Sequence, residues 1–400
     1  MVRIALLTHS FPSREHPYIS SWVQKLYEAG IDITVLTEQT GWHTAEESDI
    51  GLAKRVKLLN SVNQPLAAKF QPLKKRPVGS HLGEAVRALR IIGCEHPDKR
   101  RTVIRKLFEY APVIGERYDI LHYNAPQIAI RRWELGPLLG ARRLVSFRGQ
   151  DFSFHPDRYD RILEEADYLH FISEHLVQEA QKRGYKGGKH TLIRPAIDTD
   201  FYHPNPQPRN EFQPPFTLFT SARFSWTKGW EFALQAIALL VNQGFDINYY
   251  IAGDGDFREA VLYTISELNL SDRVYLLGWI SPEEVRNWLW KTDIYVLASV
   301  DEAFNNSVIQ AQACGVPVVC SDAGGLPENI ENGITGLIAR RRDAWDLAMK
   351  IASLLKCPDR AAKMSELARR RAVTLFSMNR MIAEFDKLYQ DIYSGVAARS

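Results

Sequence analysis

Residues 293–321 read DIYVLASVDEAFNNSVIQAQACGVPVVCS, and the fold turns on how this stretch is parsed. An apolar run, DIYVLA at 293–298, leads into a polar loop and then into helical spacing over 306–314. A second apolar run, VPVVCS at 316–321, closes it. Short apolar runs on either side of an amphipathic segment predict parallel strands joined by a helix, the repeating unit of a sheet wrapped by helices.

The same alternation runs outwards. Behind it lie FTLFTSA (216–222), INYYIAG (247–253) and RVYLLG (273–278), with helices expected over 229–242, 256–268 and 282–291. Ahead lie TGLIA (335–339) and three closing helices, the last over about 377–393. A polar, proline-studded segment, HPNPQPRNEFQPP (203–215), reads as a seam between domains. Before it come six strands: VRIALLT (2–8), IDITVLT (31–37), YDILHY (118–123), RRLVSFR (142–148), YLHFIS (168–173) and HTLIRP (190–195). The helix over 18–29 has Ile19, Trp22, Val23 and Leu26 on one face. Residues 38–117 break the rhythm and read as loops and helices. Four hundred residues exceed what one core organises. The chain therefore reads as α/β, with doubly wound Rossmann-like domains over 1–200 and 201–376. Residues 377–400 read as a terminal helix returning to the first. Two such sheets in series put the carboxyl ends of their strands towards a cleft.

Composition excludes several classes. At 45% hydrophobic and 24% charged residues the chain is that of a globular protein. The start, MVRIALLTHSF, is too soon polar for a signal peptide, and no run reaches membrane-spanning length. Cys94, Cys314, Cys320 and Cys357 are scattered, which suits reduced thiols and a cytoplasmic location. No metal-ligand spacing occurs, so neither metal nor other cofactor is expected. The net charge of +3 hides an asymmetry: residues 51–108 hold 14 Lys or Arg against 3 Asp or Glu, a local +11 that leaves −8 elsewhere. Two readings of this basic stretch stand open. One is a solvated face; the other is contact with an anionic membrane surface or a phosphorylated acceptor. No nucleic-acid motif accompanies it, so nucleic acid is not an expected partner.

Three strand-end loops of the second half carry the chemistry. In SARFSWTKGWEFAL, Arg223 and Lys228 sit five apart across a turn that opens a helix. Two cations beside a helix N-terminus suit a diphosphate, and the bland alternative is a surface Arg and Lys. In AGDGDF, Gly253 permits close approach of a ligand, though a plain turn explains it equally. In the opening stretch, Glu302 is placed to accept from hydroxyls. Asn305, Asn306 and Ser307 stand where a helix begins, either as its cap or with backbone N–H groups turned to a ligand.

In order, RFSWTKG, AGDG, the Leu277 turn, EAFNNSVIQAQACGVPVV and DAGGLPE resemble the C-terminal half of the retaining GT-B glycosyltransferases of family four. FPSREHPYISSW, SEHL and RPAIDTDF are similar to the bacterial exopolysaccharide, colanic-acid-type branch. The resemblance implies two Rossmann-like domains, an acceptor side first and a nucleotide-sugar side second. The implied reaction moves a sugar from a UDP-, GDP- or ADP-sugar onto a glycan or lipid-linked acceptor in cell-surface polysaccharide synthesis. Arg223 and Lys228 would hold the diphosphate without a metal, and Glu302 the donor sugar. Asn305, Asn306, Ser307 and Gly253 would assist, Gln310 would reach the ribose, and the base would lie at Leu277 and Trp279. Glu15 falls in the acceptor-side motif. The protein would be cytoplasmic, and peripheral on the inner face of the membrane.

Two positions depart from the family. Its ribose-binding acid is Gln310 here, a neutral partner that weakens the bond by about 1 kcal/mol. Where many members have His-Gly-x-Asp, this chain has Arg148-Gly-Gln-Asp151. A guanidinium stays protonated and cannot serve as a base, so among the catalytic set Arg148 is read as a donor- or acceptor-binding residue, with Asp151 as its partner. His9, His122 and His155 are read as structural histidines. The departures also motivate a rival: an inactive relative that binds a nucleotide sugar or a partner as a scaffold.

Overall fold

The computed structural model describes residues 1–12, 17–39, 51–59, 78–149, 151–154, 158–207 and 212–395. The chain forms two compact units: Met1–Phe171 with Gln178–Ile193 and Ile382–Ser400, and Ile172–Val177 with Arg194–Met381.

The first unit is built on seven parallel strands: β1 (Ile4–Ser10), β2 (Ile33–Gln39), β3 (Val56–Leu58), β4 (Ile120–Tyr123), β5 (Arg142–Phe147), β6 (Tyr168–Phe171) and β7 (His190–Leu192). Their order is β3-β2-β1-β4-β5-β6-β7. Within β4 and β6 every residue is buried, as helices on both sheet faces require. Helix Pro17–Glu28 buries Ile19, Trp22, Val23 and Leu26, the face its spacing predicts. One strand was not foreseen: β3 lies inside the basic stretch expected to be loops and helices, and pairs with β2 from Val35↔Val56 to Thr37↔Leu58. At three residues, preceded by Lys54 and Arg55 and with Lys57 at its centre, it carries no alternation to read.

The second unit holds β8 (Phe216–Ser221), β9 (Ile247–Ala252), β10 (Val274–Gly278), β11 (Ile294–Leu297), β12 (Val318–Ser321) and β13 (Gly336–Ala339). All pair in parallel in the order β10-β9-β8-β11-β12-β13. Helices Ala344–Leu355, Pro358–Leu375 and Met378–Ser394 close the chain. From Ile382 the last of these belongs to the first unit, where Phe385 and Tyr389 are fully buried. The strand order reverses direction between β8 and β11, and in open α/β sheets ligands bind off the carboxyl ends of strands at such a switch. The loops after β8 and β11 are those that carry Arg223, Lys228 and Glu302.

Among the described residues no helix is long and apolar enough to cross a membrane. No group of three or more His, Cys, Asp or Glu among them is placed to hold a metal ion.

Candidate active site

Backbone bonds lock the strand-end loops of the second sheet together. Phe224 N–H donates to Asp254 O at 2.8 Å, and Val300 N–H donates to Thr227 O at 2.8 Å. Chain packs directly on chain, which accounts for the glycines. A Cβ on Gly253 (φ +147°) would lie 2.0 Å from Ala222 O, and one on Gly325 would lie 2.0 Å from Ala303 O. The space a side chain at Gly253 would need is thus occupied by the neighbouring loop. Gly253→Ala and Gly325→Ala should each cost roughly 2 kcal/mol or more, since backbone must move. Urea midpoints measure this, and a cost below a few tenths would contradict it.

The turn Trp226–Lys228 ends at Gly229 (φ +62°), where helix Trp230–Asn242 starts. It delivers Lys228 to the β11 loop, where Nζ donates to Glu302 Oε2 at 2.7 Å. Both side chains are nearly buried, at 12% and 11% exposure. Ser299 Oγ also donates to Oε2 at 3.2 Å, and Asn305 Nδ2 donates to Oε1 at 3.2 Å. A carboxylate withdrawn from water needs such compensation, and the nearest cation supplies it. Arg223, the other cation of the expected pair, is exposed on the same loop, and Lys228 meets Glu302.

Asn305 is the cap of helix Asn306–Ala313: its Oδ1 accepts from Val308 N–H at 3.1 Å. Cap and Glu302 together use its side chain, leaving the N–H groups of Asn306 and Ser307, which have no intrahelical acceptor. Sequence reading missed the residue that fixes this cap. Asn329, fully buried, accepts from Asn305 N–H at 3.2 Å and donates to Asn305 O at 2.8 Å. Gln312 Nε2 in turn donates to Asn329 O at 2.8 Å. Further along the helix Gln310 is half-buried. Leu277 is half-buried at the end of β10, and Trp279 beyond it is 65% exposed. Glu328, in DAGGLPE, accepts from the N–H groups of Glu174 and His175 at 3.0 and 2.9 Å, and from Arg194 at 3.2 Å.

Arg148 and Asp151 belong to the first unit, after β5. The Arg148 guanidinium lies over the Trp22 ring at 4.7 Å. Asp151 holds the arginine's backbone: Oδ2 accepts from Arg148 N–H at 3.0 Å and Gly149 N–H at 3.2 Å, and Oδ1 from Gln127, while the Arg148 charge also favours its ionised form. Burial outweighs these bonds and raises the Asp151 pKa. Glu15 and His155 lie outside the described residues. His9 faces Glu38 at 3.1 Å. His122 is a structural histidine, as read from the sequence, but not an isolated one. It accepts from or donates to Tyr389 OH at 2.9 Å and Ser146 Oγ at 2.6 Å, and Ser146 meets His170 at 2.7 Å. His170 Nε2 ends the chain on Ile193 O at 2.9 Å.

Two Rossmann-type sheets, with a buried cation–carboxylate pair at the switch point of the second, describe the GT-B architecture of glycosyltransferases. Residues 204–371 match the family "Glycosyl transferases group 1", and the chain carries that family's domain. It is a glycosyltransferase. It is 28% identical over 281 residues to the amylovoran biosynthesis glycosyltransferase AmsK of Erwinia amylovora, covering 66% of this chain and 68% of AmsK. With WcaL of Salmonella typhimurium, named as a colanic acid biosynthesis glycosyltransferase, it shares 24% identity over 417 residues, 98% of this chain and 100% of WcaL. The fold is similar to that of Anabaena HepE solved with UDP-glucose, with a TM-score of 0.71, 17% identity and coverage of 97% and 100%.

Proposed function

We propose that the protein moves a sugar from a nucleotide diphosphate sugar to a glycan or lipid-linked acceptor, with retention at the anomeric carbon, in cell-surface or exported polysaccharide synthesis. The observation that carries this is the Lys228–Glu302 pair at the switch point, with Arg223 on the same loop. Names of relatives support it: AmsK and WcaL are named for polysaccharide biosynthesis, and HepE was solved with UDP-glucose.

Glu302 offers about four lone-pair sites. Lys228 and Ser299 take those of Oε2, and Asn305 takes one of Oε1. The remaining site on Oε1 accepts a donor-sugar hydroxyl. Arg223 and Lys228 stabilise the charge that grows on the departing diphosphate as the bond from the anomeric carbon to phosphate oxygen breaks. The acceptor oxygen bonds to that carbon, and its proton passes to the leaving phosphate. Asn306 and Ser307 N–H groups, Gln310, Leu277 and Trp279 hold the nucleotide. Arg148, Asp151 and Glu15 serve the acceptor side, Asp151 by shaping the turn that presents Arg148. The charge on the two cations replaces a metal, and the protein works peripherally on a membrane.

Incubation with UDP-, GDP- and ADP-sugars and glycan or lipid-linked acceptors, with and without a chelator, tests this. Nucleoside diphosphate release unaffected by chelation, and a product of unchanged anomeric configuration, are expected. No release from any pairing would favour the scaffold reading, and an inverted product would exclude the mechanism. A companion result concerns Gln310: Gln310→Glu should tighten donor binding roughly fivefold, the gain of a charged acceptor for a ribose hydroxyl. Calorimetric titration of the donor measures it, and weaker binding would remove Gln310 from the ribose.

A further inference from the structure

Helix Val78–Glu95 presents an apolar stripe to solvent. Leu82, Val86 and Leu89 are 73%, 57% and 46% exposed. At about 100° per residue they fall within an arc of about 60°, while Ala88 and Ile92, fully buried, mark the inward face. The neighbouring helix Arg100–Tyr110 adds Ile104, 54% exposed. Scattered surface apolar residues need no explanation, but three aligned on one helix face, with a fourth on the next helix, do.

Their surroundings say what covers them. Arg90 on the same helix and Lys99, Arg100, Arg101 and Arg105 at and in the next are all exposed; among described residues 82–110, Asp98 is the exposed acid. The other acids of that range are paired: Glu84 with Arg117 and Arg87 and Glu95 with Arg161, both at the surface, and Glu109, nearly buried, with Arg132 at 2.7 Å. Arg90 also lines a cavity of about 570 Å³ together with Arg87, Arg143 and Arg161 and with the carboxylates of Glu95 and Glu134, so that cavity is of mixed charge and plays no part in the cationic face. A protein partner would not call for five exposed cations around an apolar centre, and nucleic acid would not call for the apolar centre. An anionic bilayer calls for both.

We propose that this face docks the protein on an anionic membrane: the stripe enters the interfacial layer and the exposed cations meet lipid phosphates. The inference rests on the peripheral membrane location proposed above, and not on the sugar chemistry.

Flotation with vesicles of phosphatidylcholine, alone or mixed with phosphatidylglycerol, tests it on the full chain. The protein should float with the mixed vesicles and be released by raised salt. Arg90→Glu with Arg101→Glu, and separately Leu82→Ser with Leu89→Ser, should each weaken partition roughly tenfold or more. All four positions are exposed, so the variants should keep the wild-type melting temperature and wild-type transfer to a water-soluble acceptor without vesicles. Soluble glycerol phosphate should not displace the protein; displacement would mean a small-anion site instead of a membrane face. Equal flotation on neutral vesicles, variants that float like wild type, or a dimer in sedimentation that the serine changes dissolve would each overturn the proposal. Loss of transfer with flotation intact would strike the sugar chemistry and leave this face standing.

Discussion

Lys228→Met should lower turnover at least a hundredfold and cost roughly 2–3 kcal/mol of stability. Both effects come from one bond. Lys228 Nζ sits 2.7 Å from Glu302 Oε2, and neither side chain is more than 12% exposed. Removing the ammonium leaves a carboxylate in a nearly dry loop with only Ser299 and Asn305 donating to it. Their bonds keep the cost below that of a wholly stranded charge. The turnover loss has a separate cause, because the missing charge is the one proposed to meet the leaving diphosphate. Two further variants separate these effects. Lys228→Met combined with Glu302→Gln should recover most of the stability and none of the activity, since no uncompensated charge remains. Arg223→Ala should raise the donor KM roughly tenfold and leave the urea midpoint unmoved, as an exposed cation contributes little to folding. If Lys228→Met lost stability alone, with turnover intact in the folded protein, the lysine would be a structural partner of Glu302 and the diphosphate role would fall.

Much of this site was legible in the order of residues. Apolar runs at β8, β11 and β12 announced parallel strands, and loops that follow parallel strands share one edge, so Arg223, Lys228 and Glu302 could be placed together before any coordinates. A cap at Asn305 or Asn306 could be read because asparagine is favoured just before helical spacing, and the structure gives it to Asn305. What could not be read was who compensates whom. Lys228 and Glu302 lie 74 residues apart, and their bond depends on Val300 being pinned to Thr227 by backbone alone. Asn329 escaped for the same reason: an asparagine in a loop shows nothing of a partner 24 positions back. The glycines were legible as points of close approach but not as to what approaches, and the answer at Gly253 is the Ala222 carbonyl. In the first unit, strand β3 was hidden by its brevity and its charge.

Acidification should destabilise the protein by several kcal/mol between pH 7 and 5, through His122 and His170. The Ile193 carbonyl can only accept, so His170 Nε2 carries the proton. Direction then propagates: Ser146 O–H donates to His170 Nδ1, His122 Nε2–H donates to Ser146 Oγ, and Tyr389 O–H donates to His122 Nδ1. Every site in this chain is satisfied with both rings neutral, and a further proton on either Nδ1 would force the Tyr389 or Ser146 hydroxyl that donates to it to turn its own hydrogen away. Burial, aided by the Arg148 charge, holds the His122 pKa well below the usual histidine value and brings that of His170 down to about 3. Unfolded histidines take up protons as pH falls through about 6.5, whereas the folded ones do not until far lower. The contribution is therefore fully present above about pH 6.5 and is lost on the way down, at roughly 1.4 kcal/mol per pH unit for each ring. Carboxylates add a slope of their own, so the decisive quantity is a difference between variants. His170→Gln keeps an N–H for Ile193 but cannot be protonated. It should be less stable than wild type at pH 7, because Ser146 loses its acceptor, and should lose about half of the slope between pH 7 and 5. Urea midpoints at the two pH values measure both, and an unchanged slope would mean that His170 is protonated in the folded protein.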